Sequence, residues 1–244
     1  MSEQESLLSV SGVGKRFGGI HAVSDVSFTV REGETVGVIG PNGAGKSTLL
    51  ELLAGAQRSD GGSIRFRGRE IVDCPAHVVS RLGIARTFQK LRPFLGMTAL
   101  ENVMVGALVR DRDRGRAREH AEECIEFVGL GAKRDAIADT LSTGQRKRLE
   151  FARAIACRPT VYLLDEVMAG IDHRSLGDLV SLVARLRDDG ATIVMIEHNL
   201  PVLGELCDRL VAMHLGRKIA DGRPAEVLRQ AEVVESYVGS SGDA

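Results

Sequence analysis

The sequence has few of the residues that build disulfide frameworks or zinc sites. Its four cysteines, Cys74, Cys124, Cys157 and Cys207, are far apart and form no CxxC pair. This spacing favours reduced thiols in a cytosolic protein over structural disulfides. The six histidines are scattered, without HxxxH or HExxH spacing, and we therefore expect no zinc site.

Long apolar runs and a large excess of one charge are also missing. No run of about eighteen apolar residues is present, so we expect no membrane-spanning helix. The acidic, polar residues 1–6 do not resemble a secretion signal. Because the formal net charge is only −1, we expect no nucleic-acid partner. The 244 residues, 43% of them hydrophobic, are sufficient for one large domain spanning 1–244.

Glycine, in contrast, is plentiful, and three of the 28 glycines lie in one informative stretch. Residues 40–48 read Gly-Pro-Asn-Gly-Ala-Gly-Lys-Ser-Thr, after an apolar run at 36–39 and before a helical pattern at 48–54. A strand, a glycine-rich turn and Lys-Ser at the start of a helix are typical of the phosphate-binding P-loop. The glycines allow successive backbone N–H groups to point at one anion. A plain glycine turn before a helix is the less favoured alternative.

The P-loop pattern predicts the roles of individual residues. Lys46 can reach the terminal phosphates of a nucleotide, and the Ser47 hydroxyl can ligate the magnesium ion that they carry. The residues predicted to bind the nucleotide are Asn42, Gly43, Ala44, Gly45, Lys46, Ser47 and Thr48. The pattern does not say how the phosphate energy is used, because kinases, GTPases, helicases and transport ATPases all share it.

Two adjacent carboxylates end a second apolar strand, predicted at 161–166. Neighbouring residues on a strand point to opposite faces, so one carboxylate can hold a metal ion while the next faces the attacking water. We predict that Asp165 is a magnesium ligand and that Glu166 is the general base. A solvated strand end is the alternative, but a P-loop needs such an aspartate and no other strand offers one as cleanly.

Single polar or aromatic residues lie near other predicted strands. Gln89 follows the strand at 83–88 and His198 follows the strand at 191–196, and ligands of α/β sheets bind beyond such strand ends. His198 can hydrogen-bond a γ-phosphate, although a lone histidine is more often structural and Gln89 alone suits a surface loop. Phe17 is expected in a glycine-rich loop, where its ring either stacks on a base or packs in the core.

The remaining periodicity predicts an alternation of strands and helices. Further strands are expected at 7–13, 26–30, 63–67, 210–214 and 218–220. Helices are expected at 76–82, 98–108, 117–128, 146–157, 174–188 and 224–238. The segment 141–145, Leu-Ser-Thr-Gly-Gln, precedes the helix at 146–157 and is either a plain N-cap or a second anion site.

Taken in order, Phe17, the loop 40–48, Gln89, the segment 141–145, the Asp165–Glu166 pair, Asp172 and His198 resemble the ATP-binding subunits of ABC transporters. The resemblance implies an α/β P-loop NTPase fold with a mixed central sheet and an N-terminal antiparallel β subdomain. It also implies a helical subdomain at 90–145 and a C-terminal helix and tail at 222–244. ATP and Mg²⁺ are the implied cofactors.

The same resemblance implies roles that the residues alone do not. Phe17, with Val23, would stack on adenine, and Gln89 would meet the metal or the lytic water. Glu166 would be the base and His198 the γ-phosphate sensor. In a head-to-tail dimer, the residues that would act on ATP held by the other subunit are Ser142, Thr143, Gly144, Gln145 and Asp172.

A finer resemblance, to the larger ATPase subunit of branched-chain amino acid importers, lies at 83–89, 95–98, 146–150 and 164–170. It implies an ATPase on the inner, cytoplasmic face of the cell membrane, with transmembrane permease subunits and a second ATPase subunit, a paralogue or a second copy, as partners. A solute-binding protein would be an indirect partner. Two residues depart from the pattern of the wider family, Thr143 for Gly and Val167 for Pro, and both bear on the ATPase rate.

Other functions are weighed against this one. Lipid or lipopolysaccharide export is the nearest rival, because the cargo never touches this subunit. A soluble ABC ATPase that acts on DNA or ribosomes predicts a basic face or two nucleotide domains. A GTPase needs an Asn-Lys-x-Asp motif, which the sequence lacks, and neither a GTPase nor a small-molecule kinase explains 141–145. The loop at 89–97, with Leu91, Phe94 and Leu95, either grips a permease helix or forms a small satellite core.

Overall fold

The computed structural model describes residues 6–87 and 93–238, and two β-sheets organise them. The first is antiparallel, in the order β2-β1-β4-β5. Its strands are β1 (Leu8–Phe17), β2 (Ile20–Val30), β4 (Gly61–Phe66) and β5 (Arg69–Glu70). Alternate apolar residues of these strands, such as Val10, Val26 and Ile64, are buried on one face, as expected for a sheet covered on one side.

The second sheet is mixed and has the order β10-β9-β3-β8-β7-β6. Its strands are β3 (Thr35–Ile39), β6 (Ile84–Arg86), β7 (Val161–Asp165), β8 (Thr192–Ile196), β9 (Arg209–His214) and β10 (Arg217–Gly222). Neighbours from β9 to β6 are parallel, and β10 is antiparallel to β9. Every residue of β3, β7 and β8 is buried, because both faces of the sheet are covered.

Nine α-helices lie within the described ranges. They are α1 (Lys46–Leu53), α2 (Ala76–Leu82), α3 (Ala99–Ala107), α4 (Arg114–Phe127), α5 (Thr143–Ala156), α6 (His173–Asp188), α7 (Leu200–Leu206), α8 (Pro224–Val227) and α9 (Ala231–Val238). None of these helices is long and apolar enough to cross a membrane. Helix α1 and the antiparallel sheet share one hydrophobic core, and α3 to α6 contribute to a second core, which includes residues of β7 and β8.

The order of strands brings the predicted polar residues to one edge of the mixed sheet. The P-loop follows β3, Asp165 ends β7, and His198 comes two residues after β8. Since β7, β8 and β3 are parallel neighbours, their carboxyl ends meet at the edge where α/β proteins bind ligands.

Several sequence-based boundaries are wrong. Phe17 ends β1 instead of lying in a loop, and Gly18 and Gly19 make a tight turn into β2, which begins at Ile20. Helix α5 begins at Thr143, not at 146, so residues 143–145 form its first turn. The predicted helix at 224–238 is two helices, α8 and α9. Helix α7 and the short strand β5 were not predicted. The subdomain limits 90–145 and 222–244 stay predictions.

Candidate active site

The P-loop folds against two other segments at a point where no side chain fits. Gly45 has a left-handed φ of 98° and is the N-cap of α1. A Cβ atom on Gly45 would lie 2.1 Å from the carbonyl oxygen of Ala22 in β2. The turn after β9 joins the same place, because the Gly216 N–H donates to the Ala44 carbonyl at 3.1 Å and the Ser24 N–H donates to the Gly216 carbonyl at 2.8 Å. Glycine at position 45 is therefore a steric requirement.

Lys46 is buried beneath the loop that it follows. Its side chain is 5% exposed, and Nζ donates to the carbonyl oxygens of Gly40 at 2.7 Å and Pro41 at 3.0 Å. Burial lowers the pKa of Lys46, while the carboxylates of Glu166 and Asp165 act in the opposite direction. The ammonium group is thus held at the base of the loop, with carboxylates of the strand end close enough to influence it.

Ser47 and Asp165 offer oxygen atoms to a common point. The Ser47 Oγ atom lies 3.5 Å from Asp165 Oδ1, and Asp165 is 1% exposed. The other carboxylate oxygen, Oδ2, accepts a hydrogen bond from Arg86 at 2.8 Å. A hydroxyl and a carboxylate oxygen are the donors that Mg²⁺ prefers, so these two residues fit the predicted metal.

Arg86 belongs to this arrangement, although no motif in the sequence indicated it. Its guanidinium is also 3.6 Å from Glu51 Oε1 on α1, and the side chain is 9% exposed. The available signal was an arginine inside a short apolar strand, β6, which pairs with β7. A buried arginine in such a position needs a carboxylate partner, and Asp165 is that partner.

Glu166 and His198 are brought together. His198 Nε2 lies 2.8 Å from Glu166 Oε1, and the Glu166 N–H donates to the Ile196 carbonyl at 3.0 Å. Glu166 has a positive φ of 48°, which is uncommon for a residue with a side chain and is typical of functional sites. The strand end is therefore bent so that the second carboxylate meets the histidine of the neighbouring strand.

A cleft of about 510 Å³ lies over the P-loop. It is lined by the seven residues from Asn42 to Thr48, by Glu166, and by Ile20, His21, Ala22 and Leu215. Phe17, at the nearby end of β1, is 45% exposed, and the Lys15 ammonium is 5.5 Å from its ring centre. An exposed ring is compatible with base stacking. Val23 is only 1% exposed, so its burial favours packing in the core over contact with a base.

The start of α5 forms a second cluster with the start of α6. Ser142 caps α5 by accepting from the Gln145 N–H at 3.3 Å, and Gln145 Oε1 accepts from the Ser142 N–H at 2.9 Å. A Cβ atom on Gly144 would lie 2.7 Å from Ser175 Oγ. The Ser175 N–H donates to Asp172 Oδ1 at 2.9 Å. The predicted partner-facing residues are thus joined to one another.

These two clusters do not meet within one chain. Among the described residues, those that line the P-loop cleft include none of 142–145 and not Asp172. Ser142, Thr143 and Asp172 are exposed. Gln89 and Leu91 lie outside the described residues.

A P-loop, a strand-end Asp–Glu pair and a strand-end histidine at one edge of a mixed sheet define a P-loop NTPase. The family model described as ABC transporter matches residues 23–169. The chain belongs to the ABC transporter family. As a member of this family it binds nucleotide and is an ATPase, which confirms the predicted activity.

Curated relatives cover nearly the whole chain. It is 37% identical to the high-affinity branched-chain amino acid transport ATP-binding protein BraF of Pseudomonas aeruginosa, over 96% of this chain and 98% of BraF. It is 33% identical to the protein of the same description, LivG, of Escherichia coli, over 97% of this chain and 99% of LivG. It is 36% identical to the lipopolysaccharide export system ATP-binding protein LptB of Haemophilus influenzae, over 96% and 98%.

Solved structures agree with this assignment. The ADP conformation of MJ1267, an ATP-binding cassette of an ABC transporter, matches with a TM-score of 0.86 and 32% identity, over 96% of this chain and 99% of that one. The dimeric post-hydrolysis state of the cassette MJ0796, bound to ADP and Pi, matches with a TM-score of 0.81 and 25% identity, over 89% and 98%. The predicted fold class is confirmed.

Proposed function

We propose that this chain is the ATP-hydrolysing subunit of an importer of branched-chain amino acids. The likeness to BraF and LivG over nearly their full lengths supports this cargo. In this proposal the chain lies on the inner, cytoplasmic face of the cell membrane, bound to transmembrane permease subunits. A solute-binding protein delivers the amino acid to the permease, and this subunit does not touch it.

The geometry supports a defined role for each residue of the P-loop cluster. The backbone N–H groups of the loop and the Lys46 ammonium would bind the phosphates. Ser47 and Asp165 would hold Mg²⁺, which would supply positive charge to the phosphate oxygens. Glu166 takes a proton from the attacking water. The water oxygen then bonds to the γ-phosphorus, and the bond between the γ-phosphorus and the β–γ bridging oxygen breaks. His198, 2.8 Å from Glu166, orients that carboxylate.

The observation that carries the mechanism is the separation of the two clusters. The N-terminus of α5, with Ser142 and the buried Gly144, is a ready site for an anion, but it does not line the P-loop cleft of its own chain. In a head-to-tail pair, each α5 would bind the ATP held by the other subunit. Two ATP molecules would then close the dimer, and hydrolysis would reopen it by removing the bridging γ-phosphate. The structure of MJ0796 bound to ADP and Pi is dimeric, which supports a pair of such subunits.

The test is Glu166→Gln, which should stop proton transfer while preserving ATP binding. We expect hydrolysis to fall by orders of magnitude and the mass in solution to become that of a dimer when ATP and Mg²⁺ are added. The mass is measured with the variant alone and with a co-expressed paralogue. Two matched controls in the Glu166→Gln background distinguish the contribution of the α5 cluster to dimerisation from that of the P-loop cluster to ATP binding. Ser142→Arg should bind ATP without dimerising, whereas Lys46→Ala should lose ATP affinity.

Two results would overturn the mechanism. Turnover near the wild-type rate in Glu166→Gln would remove Glu166 as the base. A variant that is saturated with ATP and remains monomeric, both alone and beside the paralogue, would remove the shared site.

An exposed apolar surface supports contact with the permease. Its members are Phe94, Leu95, Val105, Leu108 and Val109, each between 38% and 48% exposed. A cavity of about 280 Å³ opens beside it, lined by Val105, Val109, Arg86 and several alanines. The Phe94 ring lies against the Arg153 guanidinium, with 4.8 Å between the Arg153 Cζ atom and the ring centre, instead of packing in a satellite core. Patches of this kind mark interaction sites, and we assign this one to a short cytoplasmic helix of the permease.

Lipopolysaccharide export is the second candidate, because LptB is 36% identical over 96% of the chain. The two cargos predict different partners. Affinity purification of the tagged chain from detergent-solubilised membranes should recover a permease, and uptake of labelled leucine should be lost when the gene is deleted. Normal leucine uptake with altered outer-membrane lipopolysaccharide would favour the second candidate.

A further inference from the structure

Two buried charged side chains hold the backbone just after Glu166. Lys147 Nζ donates to the carbonyl oxygen of Val167 at 2.8 Å and to that of Ala169. From another direction, Glu197 Oε1 accepts the N–H of Met168 at 2.9 Å. The peptide group 167–168 is therefore held at both its C=O and its N–H, and the peptide group 169–170 at its C=O. The two side chains come from different parts of the chain, Lys147 from α5 and Glu197 from the residue that follows β8.

Both charged side chains are buried, which costs free energy because the charges lose their contact with water. Lys147 is 7% exposed and Glu197 is 4% exposed, and charges are rarely buried to this extent unless hydrogen bonds and an opposite charge compensate them. Burial lowers the pKa of Lys147, which the charge of Glu197 opposes. Burial raises the pKa of Glu197, which the Met168 N–H and the charge of Lys147 oppose. Each charge thus helps to keep the other ionised.

The held segment connects both clusters of the site. It begins directly after Glu166, and the Ala169 N–H donates back to the Glu166 carbonyl at 3.2 Å. It leads to Asp172, the N-cap of α6. Lys147 itself is five residues beyond Ser142, on the helix whose N-terminus is proposed to meet the ATP of the other subunit.

The contacts lie at a position where the sequence departs from the family pattern. Val167 stands where most of the family has proline, a residue that stiffens the backbone through its fixed φ. Lys147 binds backbone carbonyl oxygens and not the side chains of the segment, so it can hold this segment whatever residue occupies position 167.

We propose that Lys147 is a positioning residue that holds residues 167–169 against α5 and thereby sets the geometry of Glu166 and Asp172. The proposal rests on the assignment of Glu166 as the base. Lys147 affects the rate of hydrolysis and not the affinity for ATP, because it does not line the P-loop cleft.

The experiment compares Lys147→Met, which keeps the length of the side chain without its donors, with the matched control Lys133→Met on the exposed 3₁₀ turn at 131–133. We expect Lys147→Met to lower kcat about tenfold or more, with KM and ATP affinity within about twofold of wild type. Hydrogen–deuterium exchange of a peptide spanning 166–172 should be faster in Lys147→Met and unchanged in Lys133→Met. The exchange readout separates positioning from a general loss of structure.

Glu197→Ala gives an independent check, because it releases the Met168 N–H from the opposite side. It should show the same faster exchange and lower kcat, and it decides the question if Lys147→Met does not fold. A wild-type kcat, or a lower kcat with unchanged exchange at 166–172, would overturn the proposal. Exchange does not require hydrolysis, so a failure of Glu166 as the base, seen in Glu166→Gln, is distinguishable from a failure of this proposal.

Discussion

At the scale of single residues, Tyr237 connects the C-terminal helix α9 to the nucleotide site. Its hydroxyl accepts the N–H of Gly40, the first residue of the P-loop, at 2.8 Å. Burial raises the pKa of Tyr237, which the hydrogen bond from Gly40 opposes. The residues are 197 positions apart, so the end of the chain helps to shape the loop that binds phosphate.

Tyr237→Phe should therefore destabilise the protein by about 1 kcal/mol, the usual net contribution of one hydrogen bond. We expect ATP affinity to fall by only a few-fold, because the remaining loop is intact. Urea unfolding and fluorescent-nucleotide titration measure the two effects. Tyr162→Phe is the matched control, since it removes the hydroxyl of the other tyrosine, in β7, without touching the P-loop. If Tyr237→Phe and Tyr162→Phe have the same ATP affinity and the same stability, Tyr237 does not help to shape the P-loop.

What could be predicted for single residues depended on how local their contacts are. Lys46, Ser47, Asp165 and Glu166 could be proposed from the sequence because one motif or one strand end contains all that indicates them, and the structure places them close together. Arg86 was missed because its partner, Asp165, is 79 residues away, and no short pattern records such a pair.

At the scale of elements, α3 and α5 begin in the same way. Thr98 and Ser142 are N-caps, and each forms a complete capping box with the residue three positions later. The chain thus offers two equivalent caps, of which only that of α5 is proposed to meet a nucleotide.

Ser142→Ala and Thr98→Ala should each cost about 1 kcal/mol of stability through the lost cap. Only Ser142→Ala should also lower ATPase activity and weaken the ATP-dependent dimer, because its hydroxyl is proposed to bind the partner's ATP. Thermal unfolding and steady-state hydrolysis measure both variants side by side. Equal activity in the two would mean that Ser142 is a cap and nothing more.

Element boundaries were predicted well where a single signal decided them. The capping box at Thr98 correctly placed the start of α3. The start of α5 was placed too late, because Thr143 and Gly144 are weak helix formers that occupy the first turn only once the cap of Ser142 is in place. The break between α8 and α9 carries no glycine or proline at 228–230, so no local signal announced it.

At the scale of the whole molecule, the apolar surface formed by Phe94, Leu95, Val105, Leu108 and Val109 is the expected contact with the permease. Leu95→Cys, with a short bifunctional thiol reagent, should crosslink to a cysteine placed in a cytoplasmic loop of the co-purified permease. Leu215→Cys is the matched control, because Leu215 is 74% exposed but lines the P-loop cleft instead of this surface. Crosslinking from 215 and not from 95, detected on denaturing gels, would place the permease elsewhere.

The fold class was predictable because strand ends, glycines and carboxylates recur in a fixed order along the chain. The separation of the two clusters was expected only from the family resemblance and not from the residues themselves, since which residues line one cleft is a property of the folded chain. Val23 illustrates the difference, because the resemblance assigned it to adenine while its own strand buries it in the core.

The close approach of Gly45 to Ala22, with Gly216 hydrogen-bonded beside them, limits how this protein can be recombined. Ala22, Gly45 and Gly216 are far apart in the sequence, but their backbones are in close contact. The backbone of one cannot move unless the other two move with it. Chimaeric proteins made with distant homologues should fold and bind nucleotide only when strand β2, the P-loop and the β9–β10 turn all come from the same protein.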